Sequence, residues 1–185
     1  MDEKILFFSN FLKYPKEIGS IVPSSRFLIN ELLKNINFEN ASAIVEYGPG
    51  TGCITAEILK RARWDAKLLC FETNKKFCRY LRNKIKDERL IIVNDSAENV
   101  NIYLKKFKIR EIDCVISGLP FSMLPDYTKN IIINETKNTL KSNGKFVIYQ
   151  FLNNIGKYLC SYFSKISTRF VPLNLPPCFV YICEK

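Results

Sequence analysis

The sequence is most informative at Ala43-Ile44-Val45-Glu46-Tyr47-Gly48-Pro49-Gly50-Thr51-Gly52, where a β-branched run passes directly into three alternating glycines. A run of this composition is typical of a buried strand, and the apolar residues that follow from Ile54 have helical spacing. Glycine tolerates positive φ and lets the backbone approach a ligand closely. The stretch therefore predicts a strand, a ligand-binding loop and a helix, the first unit of a Rossmann-like sheet.

Outward from this unit, short β-branched runs alternate with longer helical patterns, as in an α/β fold with a mostly parallel sheet. The further predicted strands are 67–71, 90–93, 113–116, 146–149, 167–171 and 178–183. The predicted helices are 54–63, 75–86, 97–107, 126–140 and one that starts near residue 153, with Ser142-Asn143-Gly144 as the C-cap of the fourth. We expect seven strands with helices on both faces of the sheet.

Composition limits the chemistry. The chain has 185 residues, with 28 Lys and Arg against 18 Asp and Glu, so its formal net charge is +10. This charge favours an anionic partner, although a lysine-rich proteome produces the same excess. Histidine is absent, which excludes histidine-based nucleophilic triads and most zinc sites, so no metal is expected. Seven scattered cysteines, with no secretory leader or apolar run long enough to span a bilayer, predict a reduced cytoplasmic protein.

The glycine loop has the spacing G-x-G-x-G, with an acid two positions before its first glycine. This combination is typical of the S-adenosylmethionine loop of class I methyltransferases, whose ligand carries an ammonium and a sulfonium but no pyrophosphate. Glu72 ends the second strand, where a carboxylate accepts hydrogen bonds from ribose hydroxyls, and Asp95 ends the third, where it faces the adenine or caps a helix. The predicted cofactor residues are Glu46, Gly48, Pro49, Gly50, Thr51, Gly52, Glu72, Thr73, Asp95, Ser96, Ala97 and Ser117.

The fourth strand ends in Ser117-Gly118-Leu119-Pro120-Phe121. Many amino-methyltransferases have Asn or Asp at the first of these positions, followed by Leu-Pro or Pro-Pro and an aromatic residue. In those enzymes the polar side chain and a backbone carbonyl hold the amine in line with the methyl group. Ser117 followed by glycine is a poorer clamp for a planar base amine.

The sequence resembles the bacterial phospholipid N-methyltransferases that act on phosphatidylethanolamine. The motifs that carry this resemblance are 11–16, 18–26, 45–52, 117–121 and 174–181. Ribosomal RNA adenine dimethyltransferases share the sheet and a related Leu-Pro-Phe motif and are the main alternative. Ser117 in place of their Asn, the segment Gly19-Ser20-Ile21-Val22-Pro23-Ser24-Ser25, and the lack of a basic helical C-terminal domain argue against them. A small soluble amine is a third possible substrate.

The resemblance implies methyl transfer to an aminophospholipid at an anionic membrane surface by a peripherally associated enzyme, with nucleic acid the less favoured partner. Residues 1–40 would form an N-terminal helical cap on a methyltransferase domain of residues 41–185. An apolar stripe through Ile5, Phe8 and Leu12 would make the first helix interfacial, unless it packs permanently on the sheet. A second helix would extend to Leu33, with Ser24 or Ser25 as its N-cap.

The resemblance also suggests which residues touch the substrate. The residues expected to orient the amine are Tyr14, Ser117, Gly118, Leu119 and Tyr181. Tyr181 is equally compatible with a core position on a strand face. Arg26 is the candidate for a lipid phosphate contact, because a guanidinium pairs with phosphate through two hydrogen bonds.

Overall fold

The computed structural model describes residues 24–185. Its strands are β1 (Ala43–Tyr47), β2 (Lys67–Phe71), β3 (Leu90–Val93), β4 (Ile112–Ser117), β5 (Leu140–Gln150), β6 (Lys165–Val171) and β7 (Cys178–Glu184). Its helices are α1 (Arg26–Leu33), α2 (Cys53–Arg61), α3 (Lys75–Lys84), α4 (Val100–Lys106), α5 (Asp126–Thr139) and α6 (Gly156–Leu159). Short 3-10 helices cover Ala97–Asn99 and Phe121–Met123.

The seven strands form one sheet in the order β3-β2-β1-β4-β5-β7-β6. Strands β1 to β5 are parallel, and β7 runs antiparallel between β5 and β6. The carboxyl ends of the five parallel strands therefore meet at one edge, which we call the carboxyl edge; the opposite one is the amino edge. The β6–β7 connection also lies at the carboxyl edge, because β7 begins beside the end of β5.

Two buried clusters cover the two faces of the sheet. Val45 and Tyr47 of β1 point into one cluster, together with residues of α4 and α5. Ile44 points into the other, together with apolar residues of α1 and α2. This alternation follows from the two-residue period of a strand. The predicted fold, a seven-stranded and mostly parallel sheet with helices on both faces, is confirmed.

Element boundaries correct the sequence prediction in places. Helix α5 ends at Thr139, because Leu140 takes an extended backbone and starts β5. Ser142-Asn143-Gly144 therefore lies in β5 and is not a helix C-cap; positive φ, at 63°, falls on Asn143. The helix predicted from residue 153 is the single turn of α6, and the first turn of the helix predicted at 97–107 is a 3-10 helix.

The described part of the predicted cap is α1. Ser25 is its N-cap, as predicted, and its hydroxyl accepts a hydrogen bond from the backbone N–H of Leu28 at 3.2 Å. Leu28 and Leu32 are buried, so this helix packs on the sheet. Tyr14 and the apolar stripe at Ile5, Phe8 and Leu12 lie outside the described residues. Within residues 24–185, no helix has the length and apolarity needed to cross a membrane.

Candidate active site at the carboxyl edge

The glycine loop after β1 has a backbone that glycine is needed to form. Gly48, Gly50 and Gly52 have φ values of +70°, +54° and +80°. A Cβ on Gly52 would lie 2.6 Å from Leu81 of α3, so this glycine lets α2 and α3 approach each other. A Cβ on Gly50 would have no atom within 4 Å. The loop therefore packs against α3 at Gly52, whereas at Gly50 there is free space in which a ligand can approach the backbone.

Glu72 directly follows β2 beside this loop and is half-buried. Its Oε1 accepts a hydrogen bond from the backbone N–H of Asn74 at 2.8 Å. Burial raises the pKa of Glu72, while the backbone N–H groups of Asn74, Gly50 and Thr73 oppose the rise. Thr73 itself is exposed. The interaction with Gly50 places this carboxylate at the glycine loop. The predicted contact of Glu72 with ribose hydroxyls stays a prediction.

Asp95 lies after β3 and is held by its own loop. Its Oδ1 accepts hydrogen bonds from Ser96 N–H at 2.7 Å and the Asn99 side chain at 2.9 Å, and its Oδ2 accepts one from the Tyr103 hydroxyl at 2.9 Å. The Asn99 bond contributes most to lowering its pKa. The N-cap of the following 3-10 helix is Ser96, not Asp95, and Ala97 is buried. The predicted adenine contact of Asp95 stays a prediction.

Glu46 lies beneath the loop and does not line its surface. The side chain is 2% exposed, and its Oε2 accepts hydrogen bonds from the Thr55 hydroxyl at 2.6 Å and the Cys70 thiol at 3.4 Å. Burial raises its pKa to about 7. Thr55, in the first turn of α2, is a partner that the sequence reasoning missed. The sequence feature that could have indicated this partner is a hydroxyl side chain in the first turn of the helix after the glycine loop.

The turn after β4 contacts the glycine loop. Gly118 N–H donates to the Tyr47 carbonyl at 2.9 Å, and a Cβ on Gly48 would lie 3.8 Å from the Gly118 carbonyl oxygen. Ser117 is fully buried, and its hydroxyl accepts a hydrogen bond from Leu119 N–H at 3.2 Å. The structure therefore brings Gly118 and Leu119 to the cofactor loop, while the Ser117 hydroxyl is used inside its own turn.

Two residues at the end of β5 support this turn and were missed by the sequence reasoning. Gln150 donates its side-chain amide to the Leu119 carbonyl at 2.7 Å. The Tyr149 hydroxyl covers Gly118 so closely that a Cβ there would lie 2.5 Å from it, and burial raises the pKa of Tyr149. Both side chains are polar and follow an apolar run at the end of a predicted strand. This pattern could have indicated them, because ligands bind at the carboxyl ends of parallel strands.

Other predicted substrate residues are not at this turn. Tyr181 is 1% exposed in the core, and its hydroxyl donates to the Asn153 side chain at 2.6 Å. This is the core position that the sequence left open for it. Arg26 is exposed at the start of α1, with its guanidinium 5.1 Å from the centre of the Phe27 ring. Within residues 24–185, no three His, Cys, Asp or Glu side chains are grouped as metal ligands.

The residues at this edge fit S-adenosylmethionine. The backbone at Gly50, where a Cβ would meet no atom within 4 Å, can receive its amino-acid end, and Glu72 beside it can accept hydrogen bonds from sugar hydroxyls. Open glycine and carboxylate groups suit a zwitterionic ligand without phosphates. Together with the strand order, the site defines a class I methyltransferase that uses S-adenosylmethionine. Residues 7–141 match the family described as ribosomal RNA adenine dimethylase, and the chain belongs to that family.

Curated relatives include a lipid enzyme and ribosomal RNA enzymes. The ornithine lipid N-methyltransferase of Singulisphaera acidiphila is 30% identical over 100% of this chain and 97% of that protein. The ribosomal RNA small subunit methyltransferase A of Mycoplasmopsis synoviae is 32% identical over 60% of this chain and 40% of that protein. These similarities confirm the predicted relation to bacterial lipid N-methyltransferases and to ribosomal RNA adenine dimethyltransferases. The chain is an S-adenosylmethionine-dependent N-methyltransferase.

Solved structures share the fold. Precorrin-6y C5,15-methyltransferase from Geobacter metallireducens superposes with a TM-score of 0.68 at 13% identity, over 85% of this chain and 88% of that one. The 1,6-didemethyltoxoflavin-N1-methyltransferase of Burkholderia thailandensis, solved with S-adenosylhomocysteine, has a TM-score of 0.68 at 12% identity, over 97% and 85%. At these identities the likeness shows the fold alone.

Proposed function

We propose that the protein methylates the amine of an aminolipid, such as phosphatidylethanolamine or an ornithine lipid, at a membrane surface. The observation that carries the proposal is the construction of the Ser117–Phe121 turn. The Ser117 hydroxyl is buried in a bond to its own backbone, and Phe121 is fully buried against Phe146, with ring centres 6.2 Å apart. The turn therefore offers neither a side-chain clamp nor an aromatic face to a planar base.

The comparisons support the same substrate class. Similarity to the ornithine lipid enzyme extends over the whole chain and 97% of that protein. Similarity to the ribosomal RNA enzyme of Mycoplasmopsis synoviae covers 60% of the chain. A flexible primary amine needs only an acceptor for one N–H, whereas a base amine has to be held in its plane.

The reaction would be an in-line displacement. The bound cofactor would supply a methyl group on its sulfonium. The amine nitrogen would gain the new N–C bond as the C–S bond breaks with its electron pair left on sulfur, and the amine would lose one proton. An alkyl amine is protonated at neutral pH, and the chain has no histidine to take that proton, so we assign its removal to water. The Gly118 carbonyl beside Gly48 is the candidate acceptor that orients the amine. Once the amine has lost its proton to water, its orientation and the desolvation of its neutral form would supply most of the rate.

Ribosomal RNA is the second candidate. The family assignment favours it, and so does α3, whose exposed face is basic and carries the half-exposed Tyr80. A basic surface with an aromatic ring can bind a single strand as well as an anionic membrane. The Lys84 Nζ lies 5.2 Å from the centre of the Tyr80 ring, so this ring already makes a cation–π contact with its own helix.

A direct assay separates the two substrates. Purified protein with radiolabelled S-adenosylmethionine is given anionic vesicles that contain phosphatidylethanolamine or ornithine lipid, and, in parallel, naked ribosomal RNA. We expect label in the lipid fraction. Label in RNA alone would overturn the proposal. Glu72→Ala serves as the control, since loss of the ribose contact should lower incorporation into any substrate through cofactor affinity.

A further inference from the structure

The connection between β6 and β7, residues 172–177, is the hairpin tip. It projects from the carboxyl edge, because Val171 pairs with Cys178 at the end of the hairpin and Phe179 pairs with Gln150 at the end of β5. Gln150 in turn holds the Leu119 carbonyl of the turn that faces the glycine loop. The hairpin tip is therefore on the same edge of the molecule as the candidate active site.

The hairpin tip presents two leucines outward on a fixed support. Leu173 is 60% exposed and Leu175 is 72% exposed. Between them, Asn174 is buried; its side-chain oxygen accepts a hydrogen bond from Ser25 N–H at 3.0 Å, and its amide donates to the Pro176 carbonyl at 2.8 Å. Three of the six residues in the tip are prolines, which restrict its backbone. With Asn174 anchored inward, both leucines face solvent.

The surroundings of the tip are apolar and cationic. Phe27 and Phe170 are 42% and 56% exposed. Arg26 lies over the Phe27 ring, and Arg169 on β6 is exposed. Exposed leucines with a basic border are suited to an anionic lipid surface, where the apolar groups enter the boundary of the acyl chains.

We infer that the hairpin tip inserts Leu173 and Leu175 into an anionic bilayer and so holds the carboxyl edge, with its glycine loop, against the membrane. The inference rests on the proposed function, since a lipid amine has to reach Gly118 from the bilayer surface. Leucine side chains add nothing to recognition of a phosphate backbone, so the tip favours a lipid surface over RNA. Arg26 and Arg169 would lie at the level of the headgroups.

Vesicle binding tests the inference with a matched control. The full-length double variant Leu173→Ser/Leu175→Ser is sedimented with vesicles of phosphatidylglycerol and phosphatidylethanolamine. We expect its partition coefficient to fall about tenfold or more, since two exposed leucines lose their transfer into lipid. Trp64→Ser removes a larger apolar side chain that is 86% exposed at the amino edge, and it should change binding less than about twofold. Wild-type binding by the double variant, or an equal loss in Trp64→Ser, would overturn the inference.

A spectroscopic variant reports the depth of the tip directly. Trp64 is the only tryptophan, so Leu175→Trp on a Trp64→Phe background carries one fluorophore at the hairpin tip. Its emission should shift to shorter wavelength on anionic vesicles and be quenched by brominated lipid. Unshifted, unquenched emission from vesicle-bound protein would contradict insertion. A thermal midpoint equal to wild type shows that the variants are folded.

Activity on two forms of substrate separates this inference from the proposed function. The double variant should lose methyl transfer on vesicles and keep the wild-type rate on a short-chain aminolipid that is monomeric in solution. If wild type binds vesicles through the hairpin tip but methylates no lipid amine, the proposed function is wrong, while the assignment of the tip as a membrane-binding surface is retained. If both forms are methylated equally by the double variant, only the inference fails. If the double variant has half the wild-type mass in sedimentation velocity and still binds vesicles, the hairpin tip is a contact between two copies of the chain. That result would overturn the inference.

Discussion

The amino edge and the carboxyl edge of the sheet both carry charged residues, but the surroundings of those charges differ. At the amino edge, charges are paired with one another: Asp113 with Lys141, Arg63 with Asp65, and Arg89 with Asp87. A polar groove of about 640 Å³ there is lined by residues that include Lys34, Asp113 and Lys141. At the carboxyl edge, three glycines take positive φ, and the buried Glu46 and the half-buried Glu72 have raised pKa values.

This difference shows where the molecule accepts unfavourable groups. Strained backbone and desolvated carboxylates lower the stability of a fold and are retained where they serve a site. Among the described residues, Lys108 and Asn143 at the amino edge also take positive φ. The two carboxyl groups with raised pKa values, Glu46 and Glu72, both lie at the carboxyl edge. The polar groove lies at the amino edge, whereas the three glycines with positive φ and the two acids with raised pKa values lie at the edge that holds the glycine loop.

The largest expected effect is at Gly52. Gly52→Ala places a Cβ 2.6 Å from Leu81 at a φ of +80°, which combines backbone strain with overpacking. We expect the free energy of unfolding to fall by about 4 kcal/mol. Urea denaturation measures the change.

Gly50→Ala is the matched control for Gly52→Ala. It has the strain, at a φ of +54°, but no atom within 4 Å of its Cβ, so stability should fall by only about 1 kcal/mol. The open side of Gly50 is where the cofactor approaches, and its affinity in calorimetry should fall more than stability suggests. Equal destabilisation by the two substitutions would contradict the packing argument.

The buried acid at the carboxyl edge predicts a pH dependence. Glu46 has a pKa of about 7 in the folded protein, against 4.5 for an ordinary glutamate, so the folded state binds the proton more tightly. Stability is then highest below the ordinary pKa and falls as pH rises to about 7. Glu46→Gln keeps an oxygen acceptor for Thr55 without the charge, and it should be more stable than wild type by about 3 kcal/mol at pH 8, and nearly equal at pH 5.

Urea denaturation of both proteins between pH 5 and pH 8 measures this difference. A stability difference that is the same at every pH would show that Glu46 is not the titrating group. Cofactor affinity of Glu46→Gln, measured alongside, tests the contact that the sequence predicts for Glu46. The conservative variant Thr55→Val removes a hydrogen bond that opposes the pKa rise, so its loss of stability should continue to higher pH than in wild type.

The fold was predictable because its signals are local. Strands β1 and β2 follow from apolar runs, and the loop follows from three glycines. Contacts made across the sheet were not predictable: Gln150 reaches Leu119, and Asn174 reaches Ser25, 149 positions away. The two-residue period of a strand predicts that Glu46 and Tyr47 point to opposite faces of the sheet, but tertiary packing determines which side chains each of them contacts.

The smallest effect is expected at the amino edge. Asp113 is partly buried, which opposes its charge, but hydrogen bonds from Lys141 and from the backbone N–H groups of Ser42 and Ala43 hold its pKa below the ordinary value. Its contribution to stability is therefore present above the ordinary pKa of aspartate and is lost as pH falls through the lowered one. Asp113→Asn should lose about 1 kcal/mol at pH 7, and the loss should shrink on acidification.

Cofactor affinity is the readout that places Asp113 outside the site. Because Asp113 lies at the opposite edge from Gly50, Asp113→Asn should bind S-adenosylmethionine as wild type does, while Gly50→Ala should not. Calorimetry of the two variants at pH 7 compares the edges directly. A loss of affinity in Asp113→Asn as large as that in Gly50→Ala would mean that the paired charges of the amino edge serve the site, and the division between the two edges would fail.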